Sequence, residues 1–276
     1  MFAGIHLDTS SKSIVITGST SGLGLGLADA FASRGCTVTI SGRSQAHLDE
    51  ANANLSRKHA ANLLHAHLAD VSNYAQVEDL WNSAVSKFGR VDIWINNAGM
   101  AHPQTQISDF RPEDIQRVVS SNLVGVLHGL IVASKHMRQQ GFGSIYNMEG
   151  LGSDGRAVSG LALYGSTKSA IAYLTKAAAR EARGLTLMVG GLRPGMLVTK
   201  LISAQYSGHP DEWKRAERVL NILSDRVETV APWMANKILA NSKNGVTIRW
   251  LNKRKIMFRF LMSTFRRRKV SMTFAR

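Results

Sequence analysis

The chain is constrained first by residues 14–24. There Ile14-Val15-Ile16, an apolar β-branched run, passes at once into Thr17-Gly18-Ser19-Thr20-Ser21-Gly22-Leu23-Gly24. Leu25, Leu27, Ala28, Ala30 and Phe31 then follow in an apolar periodic segment. Strand, glycine-rich turn and helix in that order is the context in which such a loop holds a dinucleotide. Gly18 allows the tight turn, Gly22 lets backbone approach a pyrophosphate, and Gly24 lets the helix pack on the strand. The helix N-terminus faces the phosphates. The candidate cofactor contacts in this loop are Gly18, Ser19, Ser21, Gly22, Leu23 and Gly24.

Apolar strand-like and helix-like segments alternate along the rest of the chain. Strands are expected at 37–40, 63–68, 91–95, 144–147 and 185–189, and helices at 45–61, 77–88, 112–140 and 161–183. This order predicts an α/β fold with a doubly wound parallel sheet, Rossmann-like, whose ligands bind beyond the carboxyl ends of the strands. No Pro/Ser-rich linker or internal repeat divides the 276 residues. We therefore expect one domain over 1–248, with a substrate lid at about 200–225, and a basic tail over 249–276.

Within the helix at 161–183, Tyr164 and Lys168 stand one turn apart on one face. A phenol ionises near pKa ~10, and a fixed ammonium beside it favours the phenolate, which makes the pair an acid/base device. The second strand ends Ser41-Gly42-Arg43. No carboxylate is there to bind the ribose 2′-hydroxyl of NAD, whereas Arg43 can meet a 2′-phosphate, so NADPH is the expected cofactor.

These residues together resemble the short-chain dehydrogenase/reductase superfamily, from Ser13 to about Thr199. The resemblance includes Asp70-Val71, Asn96-Asn97-Ala98-Gly99, Asn122, the Tyr164/Lys168 pair and Pro194-Gly195 with Thr199. It implies that Asp70 and Val71 hold the adenine and that Asn97, Ala98 and Gly99 line the cofactor. Asn122 would hold a water in a proton relay, and Pro194, Gly195 and Thr199 would close over the nicotinamide. Tyr164 would protonate the substrate oxygen while Lys168 holds the ribose. The family usually carries a Ser about thirteen residues before the Tyr, and here Gly150 or Leu151 occupies that place. Ser153 reaching in from the Gly loop is a candidate substitute, alongside Tyr164 acting alone or a backbone N–H.

The loop Asn147-Met148-Glu149-Gly150-Leu151-Gly152-Ser153 resembles the chlorophyll(ide) b reductase branch, which reduces a formyl group to hydroxymethyl with NADPH. A bulky apolar carbonyl substrate such as a chlorophyll is implied, with Ile202, Tyr206, Trp213, Val219 and Leu220 as candidate lining. Another apolar aldehyde or ketone remains open, as does an NADP-binding scaffold or sensor. A homo-oligomer through the helices at 111–140 and 160–183 is implied too.

Charge is uneven. Beyond Glu228 there is no acidic residue but twelve Lys and Arg, leaving 22 basic and 19 acidic groups in residues 1–228. In the tail, apolar residues at 257, 258, 261, 262 and 265 form a stripe among cations, which suits peripheral contact with an anionic membrane better than nucleic acid. Cys36 is the only cysteine. That excludes a disulfide framework and suits a reducing, cytoplasmic location. His65 and His67 share one strand face without metal-ligand spacing, and no metal is expected. No signal segment is expected before the first strand. No apolar stretch is expected to reach the ~18 residues of a membrane span.

Overall fold

The computed structural model describes residues 12–206 and 210–263. Its sheet has seven parallel strands in the order β3-β2-β1-β4-β5-β6-β7. These are β1 (Ser13–Ile16), β2 (Thr37–Gly42), β3 (Leu64–Leu68), β4 (Ile93–Asn96), β5 (Gly143–Met148), β6 (Leu187–Arg193) and β7 (Thr247–Arg249). The helices between them are α1 (Gly22–Ala32), α2 (Gln45–Ser56), α3 (Tyr74–Phe88), α4 (Pro112–Val119), α5 (Gly125–Gln140) and α6 (Ala162–Glu181). Beyond β6 come α7 (Lys200–Gln205), α8 (Pro210–Leu223), α9 (Val227–Leu239) and, after β7, α10 (Lys253–Ser263).

Alternation along the strands builds two cores, one on each face of the sheet. Ile14 and Ile16 point to the face covered by α1, α2 and α9, where Leu27, Phe31, Leu48 and Met234 are buried. Val15 points to the opposite face, covered by α3, α5 and α6, where Trp81, Trp94, Met137 and Ile171 are buried. Each such side chain contributes roughly 1.5–3 kcal/mol by leaving water. The strand order reverses between β1 and β4, so the crevice of a doubly wound sheet opens there, at the carboxyl ends.

Several boundaries move from the expected ones. The second helix stops at Ser56, and α3 begins at Tyr74 because the Asn73 side chain accepts from Gln76 N–H and caps it. The long helix toward Gln140 is interrupted by a π-turn over Ser120–Val124. Contrary to the expectation from the sequence, an 18-residue window within Pro112–Gln140 has mean hydropathy 1.4, enough by length and composition to cross a membrane. Its buried side, including Val126, Leu130 and Met137, belongs to the core packed on β4 and β5. Strand β7 was not expected; it is three residues long and pairs with β6 through Thr247, Ile248 and Arg249.

Candidate active site

At the end of β1 the chain turns through Gly18, whose φ is +60°, and a Cβ there would lie 2.6 Å from Ala98 Cα. Only glycine meets both conditions. Side chains around the loop bind backbone and hold it rigid. Thr17 Oγ1 accepts from the N–H groups of Asn97 (3.0 Å) and Ala98 (3.1 Å). The Asn97 amide donates to Thr17 O (2.9 Å) and Gly18 O (2.8 Å). Ser19, fully buried, donates to Ile16 O (2.7 Å) and accepts from Ser41 N–H (2.9 Å). The Ser19 hydroxyl is thus part of the sheet edge and is not turned to a ligand. Ser21 stands exposed at the start of α1. Gly22 (φ +55°) approaches Thr199, so the β1 and β6 loops meet.

Further along the same edge, Arg43 is exposed at the end of β2. Asp70 accepts from Ser72 N–H (2.9 Å) and Oγ (2.7 Å), while its own N–H goes to Gln76 Oε1 (2.8 Å). Asn122 is fully buried inside the π-turn. Its side chain accepts from Met100 N–H (2.8 Å) and donates to Met100 O (2.9 Å) and Thr167 Oγ1 (3.3 Å). The extra residue of the π-turn turns that amide toward the loop after β4, a use such bulges commonly serve.

Tyr164 and Lys168 lie buried on α6 and face the cleft. The spacing argument predicts a phenol pKa drawn down by the ammonium, and the structure shows the reverse. Burial pushes Tyr164 up to about 12. Lys168 Nζ lies 5.7 Å from the ring centroid and donates to Met148 O at 2.9 Å. Burial also lowers Lys168 itself to about 8, against the opposing charge of Glu149, so its ammonium is easily lost. At Lys168 desolvation exceeds the attraction of Glu149, and at Tyr164 desolvation is the cause of the shift.

Gly150 stands where the Ser of the family would, and a Cβ built there would lie 2.9 Å from Tyr164 Oη, so the phenol itself occupies the place of a side chain. Ser153 is buried and accepts from Gly150 N–H (2.9 Å) while donating to Lys168 O (3.0 Å). Its one hydrogen is therefore committed to the α6 backbone. Two groups the sequence did not single out complete the surroundings. Glu149, buried, forms an ion pair with Arg193, whose other nitrogen donates to Ser153 O (2.8 Å) and so clamps the glycine loop. His102, also buried, accepts the N–H of Tyr164 on Nε2 (3.2 Å) and donates from Nδ1 to Pro103 O (2.6 Å). Leu161, the residue before α6, offers no side-chain cap, and the imidazole supplies it from 62 residues away.

All but three of the expected site residues line one continuous cleft of about 2540 Å³; Ser19, Asn122 and Ser153 stand behind its wall. One small-molecule site usually takes 300–1,000 Å³. The cleft runs from the glycine loop past Tyr164 and Lys168, and also onto the outer surface of α1 and α2. Its far end is walled by Ile202, Tyr206, Val219 and Leu220 from the α7–α8 region, and by Ile256, Met257 and Phe260 of α10. Trp213, by contrast, packs edge-to-face on Tyr206 at 5.4 Å.

A parallel sheet with this loop, this π-turn and a Tyr–Lys pair on one helix defines an oxidoreductase of hydroxyl and carbonyl groups. Residues 12–209 match the short chain dehydrogenase family, and the chain belongs to it. It is 32% identical over 278 residues to a probable chlorophyll(ide) b reductase of Oryza sativa subsp. japonica, covering 95% of this chain and 54% of that protein. A D-beta-hydroxybutyrate dehydrogenase of Cupriavidus necator is 33% identical over 216 residues, covering 76% of this chain and 82% of the relative. The chain spans about half the length of the first of these relatives. In three dimensions it is similar to levodione reductase, with TM-score 0.80, 26% identity, and 89% and 98% of the two chains covered. A 3-ketoacyl-(acyl-carrier-protein) reductase from Brucella melitensis, solved with NADH, superposes with TM-score 0.75 at 27% identity, covering 88% and 98%.

Proposed function

We propose that this chain is an NADPH-dependent reductase of a bulky apolar carbonyl compound, with the formyl group of chlorophyll(ide) b as its substrate. The observation that carries the reading is the Tyr164–Lys168 pair facing a cleft whose far end is walled by apolar side chains of α7, α8 and α10. The likeness to relatives named chlorophyll(ide) b reductases, over most of this chain, supports the substrate.

The cradle fits the cofactor: Gly18 and Gly22 adopt positive φ where backbone must approach phosphates, and Arg43 stands exposed at the 2′ end. When bound, NADPH supplies a hydride to the carbonyl carbon. Tyr164 Oη donates its proton to the carbonyl oxygen, and a phenol pushed up to about 12 by burial is fully protonated for this at neutral pH. The Lys168 ammonium holds the ribose and steadies the charge left on Tyr164. Asn122, fixed by Met100, orients the water path behind it. Tyr164 alone anchors the substrate oxygen, since the Ser153 hydrogen is committed to Lys168 O. We further propose a homo-oligomer through the outer faces of α4, α5 and α6, where Ile115, Ile131 and Tyr173 are exposed. A reducing compartment suits Cys36, whose thiol burial pushes up to about 11, and the chlorophyll(ide) b reductase relatives are named chloroplastic.

Incubation with NADPH and chlorophyll(ide) b tests this, read by absorbance and mass for the hydroxymethyl product. The product forms with the native chain, and Tyr164→Phe lowers turnover roughly 10²–10⁴-fold while NADPH binding persists. NADPH binding without product overturns the substrate and points to another aldehyde or ketone. An output that survives Tyr164→Phe overturns the enzyme in favour of a cofactor-binding scaffold.

A further inference from the structure

The helix that closes the far wall of the cleft has a second side. Ile256, Met257 and Phe260 of α10 line the cleft, while Met257 is 71% exposed, Phe258 60% and Phe260 42%. Val219 of α8, against which α10 packs, is also exposed and also lines the cleft. Large apolar side chains grouped like this on a surface mark contact with an apolar partner.

The helix is not a loose tail. Arg259 donates to Leu223 O (2.9 Å) and pairs with the buried Asp225 at 2.8 Å. Trp250 Nε1 donates to the same carboxylate at 2.5 Å, and Lys255 Nζ lies 3.1 Å over the Trp250 ring. Whatever α10 touches is therefore held in fixed orientation to the cleft mouth.

Charge selects the partner. Arg249, Lys253 and Arg254 are exposed beside the apolar group, and the sequence after α10 continues with Arg266, Arg267, Arg268 and Lys269, without any acidic residue beyond Glu228. Phe265 and these last cations lie outside the described residues. Exposed Phe and Met ringed by cations is the composition of a helix that lies in a lipid–water interface. Each cation near an anionic surface adds about 1 kcal/mol.

We propose that α10 docks the protein on an anionic phospholipid bilayer with the cleft mouth turned to the lipid, so that an apolar substrate enters from the membrane without crossing water. The purpose of this docking rests on the bulky apolar substrate proposed above; the docking itself does not.

The test needs no turnover. The chain is sedimented with vesicles of phosphatidylcholine alone, or of phosphatidylcholine mixed with phosphatidylglycerol. The expected result is binding to the mixed vesicles only, weakening with added salt. Phe258→Glu lowers the partition coefficient about tenfold or more, and Arg254→Glu lowers it by a smaller factor. Both sites are exposed, and an unchanged circular dichroism spectrum with retained NADPH binding verifies the fold. Failure to bind mixed vesicles at low salt overturns the proposal, as does equal binding by Phe258→Glu. A change of oligomeric mass in Phe258→Glu, with vesicle binding intact, also overturns it and assigns the face to a second copy of the chain. Failure of the native chain to bind vesicles, with reductase activity retained on a water-soluble aldehyde, sinks the docking and leaves the reductase standing.

Discussion

The two ends of the cleft are built by different means. At the β1–β4 end the ligand-facing groups are mostly backbone, fixed by the close approach of Gly18 to Ala98 and by the side chains of Thr17, Ser19 and Asn97, the first two buried. At the β5–β7 end the reacting side chains are placed by side-chain ties between loops and helices. His102 caps Tyr164, Arg193 clamps the loop after Glu149, and Asp225 gathers Trp250 and Arg259. The first end is a cradle whose shape is intrinsic to its glycines. The second is an assembly, and removing one tie should loosen several parts together.

The largest effect should come at the assembled end. Asp225→Ala leaves Arg259 and the Trp250 N–H without their shared carboxylate, at a cost of about 3 kcal/mol. Thermal melting should drop by several degrees, and limited proteolysis should first cut between α7 and α10. Uniform loss of protection across the sheet would erase the contrast. Next in size is the cradle: Gly18→Ala must hold φ +60° with its Cβ overlapping Ala98, costing about 2 kcal/mol. NADPH binding by fluorescence should weaken at least about tenfold, while vesicle binding through α10 stays unchanged.

A smaller effect separates positioning from folding. His102→Ala removes the acceptor for Tyr164 N–H, and kcat should fall about tenfold with little change in KM for NADPH. His102→Gln, which restores an acceptor, should recover most of it; no recovery would make His102 only a packing residue. Arg43→Ala should then cost about fivefold in preference for NADPH over NADH, read as the ratio of kcat/KM values. The smallest effect is a titration. The Lys168 ammonium is lost as pH rises through about 8, so reduction should be roughly halved at pH 8 and fall further above it. Tyr164, raised to about 12, keeps its proton over the same range and gives no limb of its own.

What could be read in the sequence follows the same division. The glycines of the first loop, the Tyr–Lys spacing and the alternation of strands and helices are local signals, and each appears where expected. The missed features depend on long-range contact. β7 is only three residues long and takes its meaning from β6 beside it. His102 in a loop resembles any polar residue until Leu161 is found unable to cap α6. The expected fall in the Tyr164 pKa failed because the spacing supplies an ammonium but says nothing of burial. Ser19 and Ser153 carry hydroxyls at suitable positions, yet both spend them on backbone.

The strand order also carries a schedule. From β1 the sheet grows outward through β2 and β3, returns to β4 at β1's free side, and then adds β5, β6 and β7 in turn. Every strand after the first therefore emerges from a ribosome to find its neighbour already made. The cradle is complete in this sense once β4 has been synthesised, whereas Trp250 and Arg259 reach Asp225 only among the last residues described. Nascent chains arrested between β6 and β7 should accordingly show a protected β1–β4 half and a protease-sensitive α7–α8 segment. The growing protein would then meet its cofactor before it could enclose a substrate.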